Sequence, residues 1–389
     1  MRIMHFALSC FYIEGYTYQE NVLPTIHAQM GHDVLMVASR VSFDKNGSPC
    51  LIQPSHYYSK DGFEVIRVPY KKFFSKGILR RIRIYSGVYN IIENFKPDIM
   101  YFHGCSALEL NTIIKYKKAH PEVTLFLDNH ADRNNSASSK LSLVVQHKML
   151  YKWALKRALP YVEKLLCPSI ECMDFCRDIY GVPEEMLEFY PLGGTLVSAA
   201  ERRSIRTEIR KMESISDSNI AFTHSGKMDA KKRTLDIIHA FKSVKNPRFT
   251  LWIIGALMED VKIQVLKEIK TDERIHFLGW KESNDLLRYL CASDVYVQPG
   301  GQSATMQNAM CCGCAVMLYP HKSHKPYVQG NGYYISTIDD MKQVFSDLSS
   351  HPEKIETLKN RSYEIACDLL DYNKLAQRVC IPNHLERHV

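Results

Sequence analysis

Ile220-Ala-Phe-Thr-His-Ser-Gly-Lys-Met-Asp-Ala-Lys-Lys-Arg-Thr-Leu-Asp-Ile-Ile-His-Ala-Phe241 decides the fold. Ile220 to His224 reads as a short buried strand, Ser225-Gly226-Lys227 as the loop that follows it, and Leu235 to Val244 as an amphipathic helix. Strand, glycine turn and helix in that order form a βα unit, the building block of a parallel sheet. Within this unit Lys227, Lys231, Lys232 and Arg233 crowd four cations into seven residues at a helix start. They repel one another and oppose the local dipole, a conflict that a bound diphosphate resolves. The rival reading is a solvated basic loop.

Working outward, the same alternation fills the chain. Strand candidates in the second half are Ile220 to His224, Thr250 to Ile254, Ile275 to Leu278, Val295 to Gln298 and Ala315 to Leu318. Those in the first half are Ile3 to Leu8, Asp33 to Ala38, Phe63 to Val68, Ile99 to His103, Thr124 to Asp128 and Lys164 to Pro168. Between the halves lies the charged, strand-poor stretch Ala199 to Ser218, preceded by the breaker cluster Pro191-Leu192-Gly193-Gly194, which suits a hinge. The expected domains are 1–198 and 199–389, with the final helix able to pack back on the first. Two doubly wound sheets place ligands at the carboxyl ends of their strands, and facing domains would merge those crevices into one cleft.

A chain of 389 residues exceeds one ordinary core, which agrees with two α/β domains. Apolar residues at 46% and charged residues at 24% exclude disordered and fibrous classes. The apolar start, Met1 to Tyr12, meets Glu14 too early for a signal peptide, and no run is long and apolar enough to span a bilayer. A cytoplasmic location is therefore expected, with reduced cysteines. Cys311, Cys312 and Cys314 contain a CxxC, but where a helix runs into Gly313 and a buried strand they read better as small core residues. From Lys71 to Tyr85 six Lys or Arg and no acid alternate with an apolar stripe of Phe74, Ile78, Ile82 and Tyr85. That stretch is either a packed helix with a solvated basic face or a contact with an anionic membrane surface, on its inner face. A net charge of +8 without a recognition motif argues against nucleic acid.

Other residues invite chemistry. The loop after the first strand carries Gly15 ahead of a helix, but no GxGxxG stands there, which excludes a nicotinamide or flavin fingerprint. His130, in Leu127-Asp128-Asn129-His130-Ala-Asp132, follows a strand end among polar neighbours, and His103 ends another strand as second candidate. A lone histidine is otherwise more often structural. His321 and His324 lack a nearby carboxylate or cysteine, so a cleft loop is preferred to a metal site. Trp280 either flanks a base or fills core. No DxD pair offers a divalent cation a seat, so no metal and no cofactor are expected, and lysine would carry the charge of a leaving diphosphate.

Several of these stretches together resemble a known family. Gly226-Lys227, Lys232 and Ala240-Phe241, then Phe277-Leu-Gly279-Trp280, Leu286-Leu287, Ala292-Ser-Asp294-Val295, Pro299 and Asn308-Ala309-Met310-Cys-Cys-Gly313-Cys-Ala-Val316, are similar to the GT-B glycosyltransferases of the retaining group called family 4. Gly31-His32-Asp33-Val34 looks like that family's entry to its second strand. The resemblance implies two facing Rossmann-like domains with a cleft between them, the first for acceptor and the second for a nucleotide-sugar donor. It implies that Lys227 and Lys232 hold the donor diphosphate beside Gly226, that Gly15 approaches it by its backbone, and that His130 lies beside the transferred sugar. The family's paired glutamates, ExxxxxxxE, are replaced: Gly300 and Asn308 stand at their places, and Gly301, Gln302, Ser303 and Thr305 supply the intervening loop. The implied function is a retaining, metal-independent transfer from a nucleoside-diphosphate sugar, UDP favoured, to a glycan or lipid-linked acceptor in surface polysaccharide synthesis. The alternative is a catalytically impaired binding or scaffold subunit of the same fold.

Overall fold

The computed structural model describes residues 1–44, 48–71, 81–133, 136, 142–301 and 303–381. It divides into two compact units, Met1–Pro191 with Tyr372–Val389, and Leu192–Asp371. The division falls in the Pro191-Leu192-Gly193-Gly194 cluster. Leu192 to Ser198 go with the second unit because Gly194 N donates to Leu370 O at 2.9 Å and the helix Ala199–Met212, capped by Ser198, inserts Arg210 beneath Asp294 at 2.5 Å. The terminal helix Tyr372–Cys380 belongs to the first unit, where Tyr190 Oη donates to Leu375 O at 2.6 Å.

The strands, in chain order, are β1 Arg2–Ala7, β2 Asp33–Ala38, β3 Val41–Phe43, β4 Pro49–Leu51, β5 Ser55–Tyr58, β6 Glu64–Arg67, β7 Ile99–Phe102, β8 Thr124–Asp128, β9 Lys164–Cys167 and β10 Leu187–Phe189 in the first unit. The second unit holds β11 Ile220–Met228, β12 Phe249–Leu257, β13 Ile275–Gly279, β14 Val295–Gln298, β15 Ala315–Leu318 and β16 Gly332–Tyr334. The first sheet runs β10-β9-β8-β7-β1-β2-β6-β5, parallel except for the β5 edge, and β3 pairs with β4 as a separate hairpin. The second runs β13-β12-β11-β14-β15-β16, all parallel. Near-continuous apolar strands such as β7, buried throughout, are what a sheet covered by helices on both faces requires.

Both sheets reverse their winding direction beside the first strand of the unit, at β1/β7 and at β11/β14. Splayed loops at such a reversal leave a crevice at the carboxyl ends, which is where ligands bind in open parallel sheets. Each crevice stands on a rigid floor: Phe6, Phe102 and Leu127 below the first, and Phe222, Ile253 and Val297 below the second, are all fully buried. The cysteine cluster is core, with Cys311, Cys312 and Cys314 buried and Cys314 Sγ donating to Leu290 O at 3.2 Å. Most of the basic stretch 71–85, from 72 to 80, lies outside the described residues.

Candidate functional site

In the second unit the sequence expectation needs one correction: Ser225, Gly226 and Lys227 do not form the loop but extend β11 to Met228. Gly226 pairs with Gly255 and Lys227 with Ala256, so the strand carries on past His224 in partnership with an equally long β12. Lys227 projects, exposed, from that extension. The true turn is Ala230–Lys232, one 3₁₀ turn whose Lys232 N is capped by Asp229 Oδ1 at 3.2 Å. The Asp229 carboxylate interrupts the cation run, offsetting part of the repulsion read from the sequence.

The four cations then separate by role. Arg233, in the left-handed region at φ 56°, opens the helix Thr234–Ser243 and donates to Pro299 O at 3.3 Å and Ser336 O at 2.8 Å. It is a strut between the lysine turn and the loop after β14. Lys231 is exposed, and Lys232 is half-buried. Desolvation pulls the Lys232 ammonium below the ordinary lysine range against the attraction of Asp229. A partly desolvated ammonium at a strand end has most to gain from an incoming anion.

The facing loop is pinned onto that turn. Gly300 packs so closely that a Cβ would stand 2.2 Å from Lys231 O and 2.9 Å from Lys232 Cα, so only glycine fits. Gln298 donates to Gly301 O, and Tyr296 Oη in turn donates to Gln298 Oε1 at 2.8 Å while bonding Ser225 Oγ at 3.2 Å. Ser303 Oγ accepts from Thr305 N at 3.3 Å at the start of the short helix Thr305–Cys311. Gly226, Lys227, Lys232, Gly300 and Gly301 are thus brought together at the carboxyl edge of β11 and β14, and Ser303 and Thr305 follow on the same loop. Gln302 lies outside the described residues. Asn308 is half-buried, and its Oδ1 accepts from Thr195 N at 3.1 Å, tying the segment beside Gly194. Trp280, at the end of β13, is 61% exposed, which removes the core reading and leaves the ring open to solvent. His324 is buried against Tyr319 O at 2.6 Å after β15, T-shaped on His321.

In the first unit the carboxyl ends of β1, β7 and β8 converge on Asp128, which is 1% exposed. Its Oδ1 accepts from Gly104 N at 2.5 Å and its Oδ2 from the His103 ring at 2.8 Å. His130 presents Nε2 inward, 3.7 Å from Asp128 Oδ1, while its side chain is 38% exposed. Burial alone would lower the His130 pKa, but Asp128 and then Glu20 outweigh it and raise the ring above the ordinary histidine value. For Asp128 burial acts upward and is overcome by His130 and His103, leaving the carboxyl well below its usual range. Glu20, in the first turn of the helix Gln19–Gln29, is raised by burial. Gly15 occupies the exposed turn before that helix.

Sequence reasoning missed the anchor of this cluster. Asp128 carries it, His103 being a direct partner and not an alternative to His130, and Glu20 completes the charge set. The available signal was three polar residues at three strand ends, 9, 103 and 128, where apolar runs stop together: Arg83 bonds Ser9 Oγ at 3.0 Å in the same rim.

Three comparisons bear on this geometry. Residues 219–350 match the model of the family described as glycosyl transferases group 1. No curated protein matches the chain. Among solved structures, Alr3699/HepE of Anabaena in complex with UDP superposes with a TM-score of 0.66 at 15% identity, covering 98% of each chain. A glycosyltransferase of Rickettsia africae gives a TM-score of 0.69 at 10% identity, over 100% of this chain and 99% of that one. WaaG, a glycosyltransferase involved in lipopolysaccharide biosynthesis, gives 0.62 at 15% identity, over 98% and 99%. At these identities the likeness is one of fold: two Rossmann-like units, as in the GT-B architecture.

Proposed function

With residues 219–350 matching the glycosyl transferases group 1 model, we propose that the protein moves a sugar from a nucleoside-diphosphate donor, a UDP-sugar first, to a glycan or lipid-linked acceptor. The observation that carries this reading is the lysine turn locked against a glycine loop at the winding reversal of the second sheet. A Cβ on Gly226 would meet Lys232 Cε at 3.9 Å, and Gly300 packs on the Lys231–Lys232 backbone, which supports assigning Lys227 and Lys232, with Gly226, Gly300 and Gly301 beside them, to a diphosphate. The UDP bound to Alr3699/HepE supports uracil as the base.

The mechanism follows from charge. As the sugar–phosphate bond breaks, negative charge grows on the diphosphate, and two lysines preset at a strand end stabilise it without reorganisation. They take the role that a divalent cation plays elsewhere, so the proposed reaction needs neither metal nor cofactor. His130, held by Asp128, can carry a proton toward or away from the sugar or acceptor hydroxyls. Retention, which the family resemblance implies, would proceed by attack of the acceptor from the leaving-group face, the departing phosphate taking the acceptor's proton.

A second reading has its own observation. The oxygen of Asn308, at the family's second glutamate, is spent on Thr195 N, which favours a binding or scaffold subunit without turnover. Calorimetric titration with UDP, GDP and ADP in the absence of divalent metal, on the parent and on Lys227→Ala and Lys232→Ala, tests the donor site. Tight UDP binding, weakened in both variants, is expected; no nucleotide binding would sink it. Sugar transfer assayed directly separates enzyme from scaffold.

We also place the protein on the cytoplasmic face of an anionic membrane, serving surface polysaccharide synthesis. No helix among the described residues is long and apolar enough to cross a bilayer. The helical stretch 142–158 supports a peripheral contact: Val145, Met149 and Trp153 form an exposed row at four-residue spacing beside Lys148, Lys152 and Lys156, with no acid in the segment. Sedimentation with phosphatidylglycerol vesicles is expected, reduced by salt and by Trp153→Ser; equal sedimentation with neutral vesicles would overturn the charge argument.

A further inference from the structure

Behind Asp128 the buried interior of the first unit holds a continuous line of imidazoles. His103 Nδ1 meets Asp128 Oδ2 at 2.8 Å, and His103 Nε2 meets His5 Nδ1 at 3.0 Å. His5 Nε2 meets His27 Nδ1 at 3.0 Å, and His27 Nε2 meets the Ala376 carbonyl at 3.0 Å. All three rings are 1% exposed or less. The line starts at the candidate site, crosses β1, passes through the helix Gln19–Gln29 and ends on the C-terminal helix Tyr372–Cys380.

Both ends of this line are acceptors, a carboxylate and a carbonyl. Four hydrogen bonds therefore need four protons, whereas three neutral imidazoles supply three. Beside an ionised carboxylate one proton more is required, and three placements satisfy every contact, with the imidazolium on His103, His5 or His27. Only His103 touches the Asp128 carboxylate, at 2.8 Å, so the placement that sets the added charge directly against its counter-charge is the one on His103. His103 is the imidazolium, giving Nδ1–H to Asp128 and Nε2–H to His5. His5 and His27 are neutral, each with its hydrogen on Nε2, donating to His27 and to Ala376 O in turn. With three neutral rings beside the ionised Asp128, one contact lacks its proton and sets two acceptors face to face in a dry interior.

We infer that His103, His5 and His27 form a proton-holding chain in which a His103 imidazolium, oriented through His5 and His27 by the C-terminal helix, positions Asp128 as an ionised partner for His130. Burial is the largest influence on both His5 and His27, keeping His5 well below the ordinary histidine value and His27 down at about 4, as neutral links require. The other ionisable groups facing the line are Glu20 from the helix Gln19–Gln29, Tyr101 from β7, Cys10 after β1, His130 after β8, Tyr190 after β10 and His32 beside His27. Of these, Glu20, raised by burial, and His130, raised by Asp128 and Glu20 against burial, are the charges nearest Asp128 and set how firmly the extra proton is held. His5 and His27 are positioning residues, and their effect on turnover rests on the glycosyl-transfer reading, whereas the proton count does not.

The test is ¹⁵N spectroscopy of the histidine rings in the full chain at neutral pH. One ring protonated on both nitrogens, assigned by its loss in His103→Gln, and two neutral rings with hydrogen on Nε2 are expected; three neutral rings would overturn the proposal. His5→Gln separates positioning from packing, since its amide oxygen accepts from His103 and its amide nitrogen donates to His27 as the imidazole does. His5→Gln should keep the His103 imidazolium and a transfer rate near the parent's, while His5→Leu loses both, with a rate loss on the order of 10-fold at unchanged donor affinity. Identical behaviour of the two variants would overturn the positioning role. Absence of any sugar transfer with the predicted ring spectrum would fail the function and leave the chain standing.

Discussion

Two aspartates, each nearly sealed from water, sit at opposite ends of parallel strands. Asp128 ends β8 in the first unit and faces His103 and His130. Asp294 precedes β14 in the second and is met by Arg206 at 3.0 Å, Arg210 at 2.5 Å and Lys359 at 3.1 Å, with Ala221 N at 2.9 Å. The difference is in the partners. Arginine cannot shed its proton, so the Asp294 cluster is fixed charge at the amino edge of a sheet, the edge that carries stability. Imidazole can, so the Asp128 cluster at the carboxyl edge is adjustable charge where chemistry belongs.

That contrast is broken most severely at Asp294. Asp294→Ala leaves two arginines and a lysine without their counter-charge, Arg210 fully buried, and should cost about 3–5 kcal/mol, read as a lower unfolding midpoint in urea. Asp128→Asn should cost less, about 1–2 kcal/mol, because its partners are imidazoles, which can be neutral where a guanidinium cannot. Near-equal losses would show that partner chemistry does not matter. The direction with pH follows: burial acts to raise the Asp294 pKa, but Lys359, Arg206 and Arg210 hold it below the ordinary carboxylate value. Its contribution is complete above about pH 4 and fades as pH falls through the depressed pKa. Next in size is Lys232→Ala, which, with Lys232 holding the diphosphate as proposed, should slow transfer on the order of 100-fold with the fold intact. Gly300→Ala comes third. Its methyl group would push Lys231 and Lys232 away from the loop, and nucleotide affinity by calorimetry should fall on the order of 10-fold with unchanged circular dichroism.

How much of this could be read beforehand depends on the range of the interaction. Strands β2, β8, β14 and β15 stand at the residues that periodicity marks, because a buried parallel strand is a local apolar run. The lysine turn was legible for the same reason: its cations are adjacent in sequence. The extension of β11 through Lys227 was not, since it depends on β12 continuing alongside, and the short strands β10 and β16 exist only through their neighbours. The histidine line is the extreme case. His5 lies inside an apolar run, His27 inside a helix and His103 just past β7, and only the register that sets His5 opposite Tyr101 puts three rings in a row. Asn308 shows the converse: its place in a motif suggests a ligand contact, while its geometry gives it a neighbour's backbone.

The smallest expected effect is also the sharpest test of the adjustable side of the contrast. His130 is raised above the ordinary histidine value: burial opposes its charge, and Asp128 with Glu20 more than restores it. A raised folded-state pKa means that the proton's contribution is fully present below about pH 6.5 and is lost as pH climbs through the higher value. Ring-proton chemical shifts of His130 should therefore titrate above a free imidazole, and Asp128→Asn should bring the midpoint below it, because burial then acts with less opposition. Glu20→Gln should move it in the same direction by less, Glu20 being the smaller of the two influences. A midpoint indifferent to Asp128 would mean that the 3.7 Å approach carries no coupling. In that case the first unit would hold its histidine as the second holds Asp294, as scaffold.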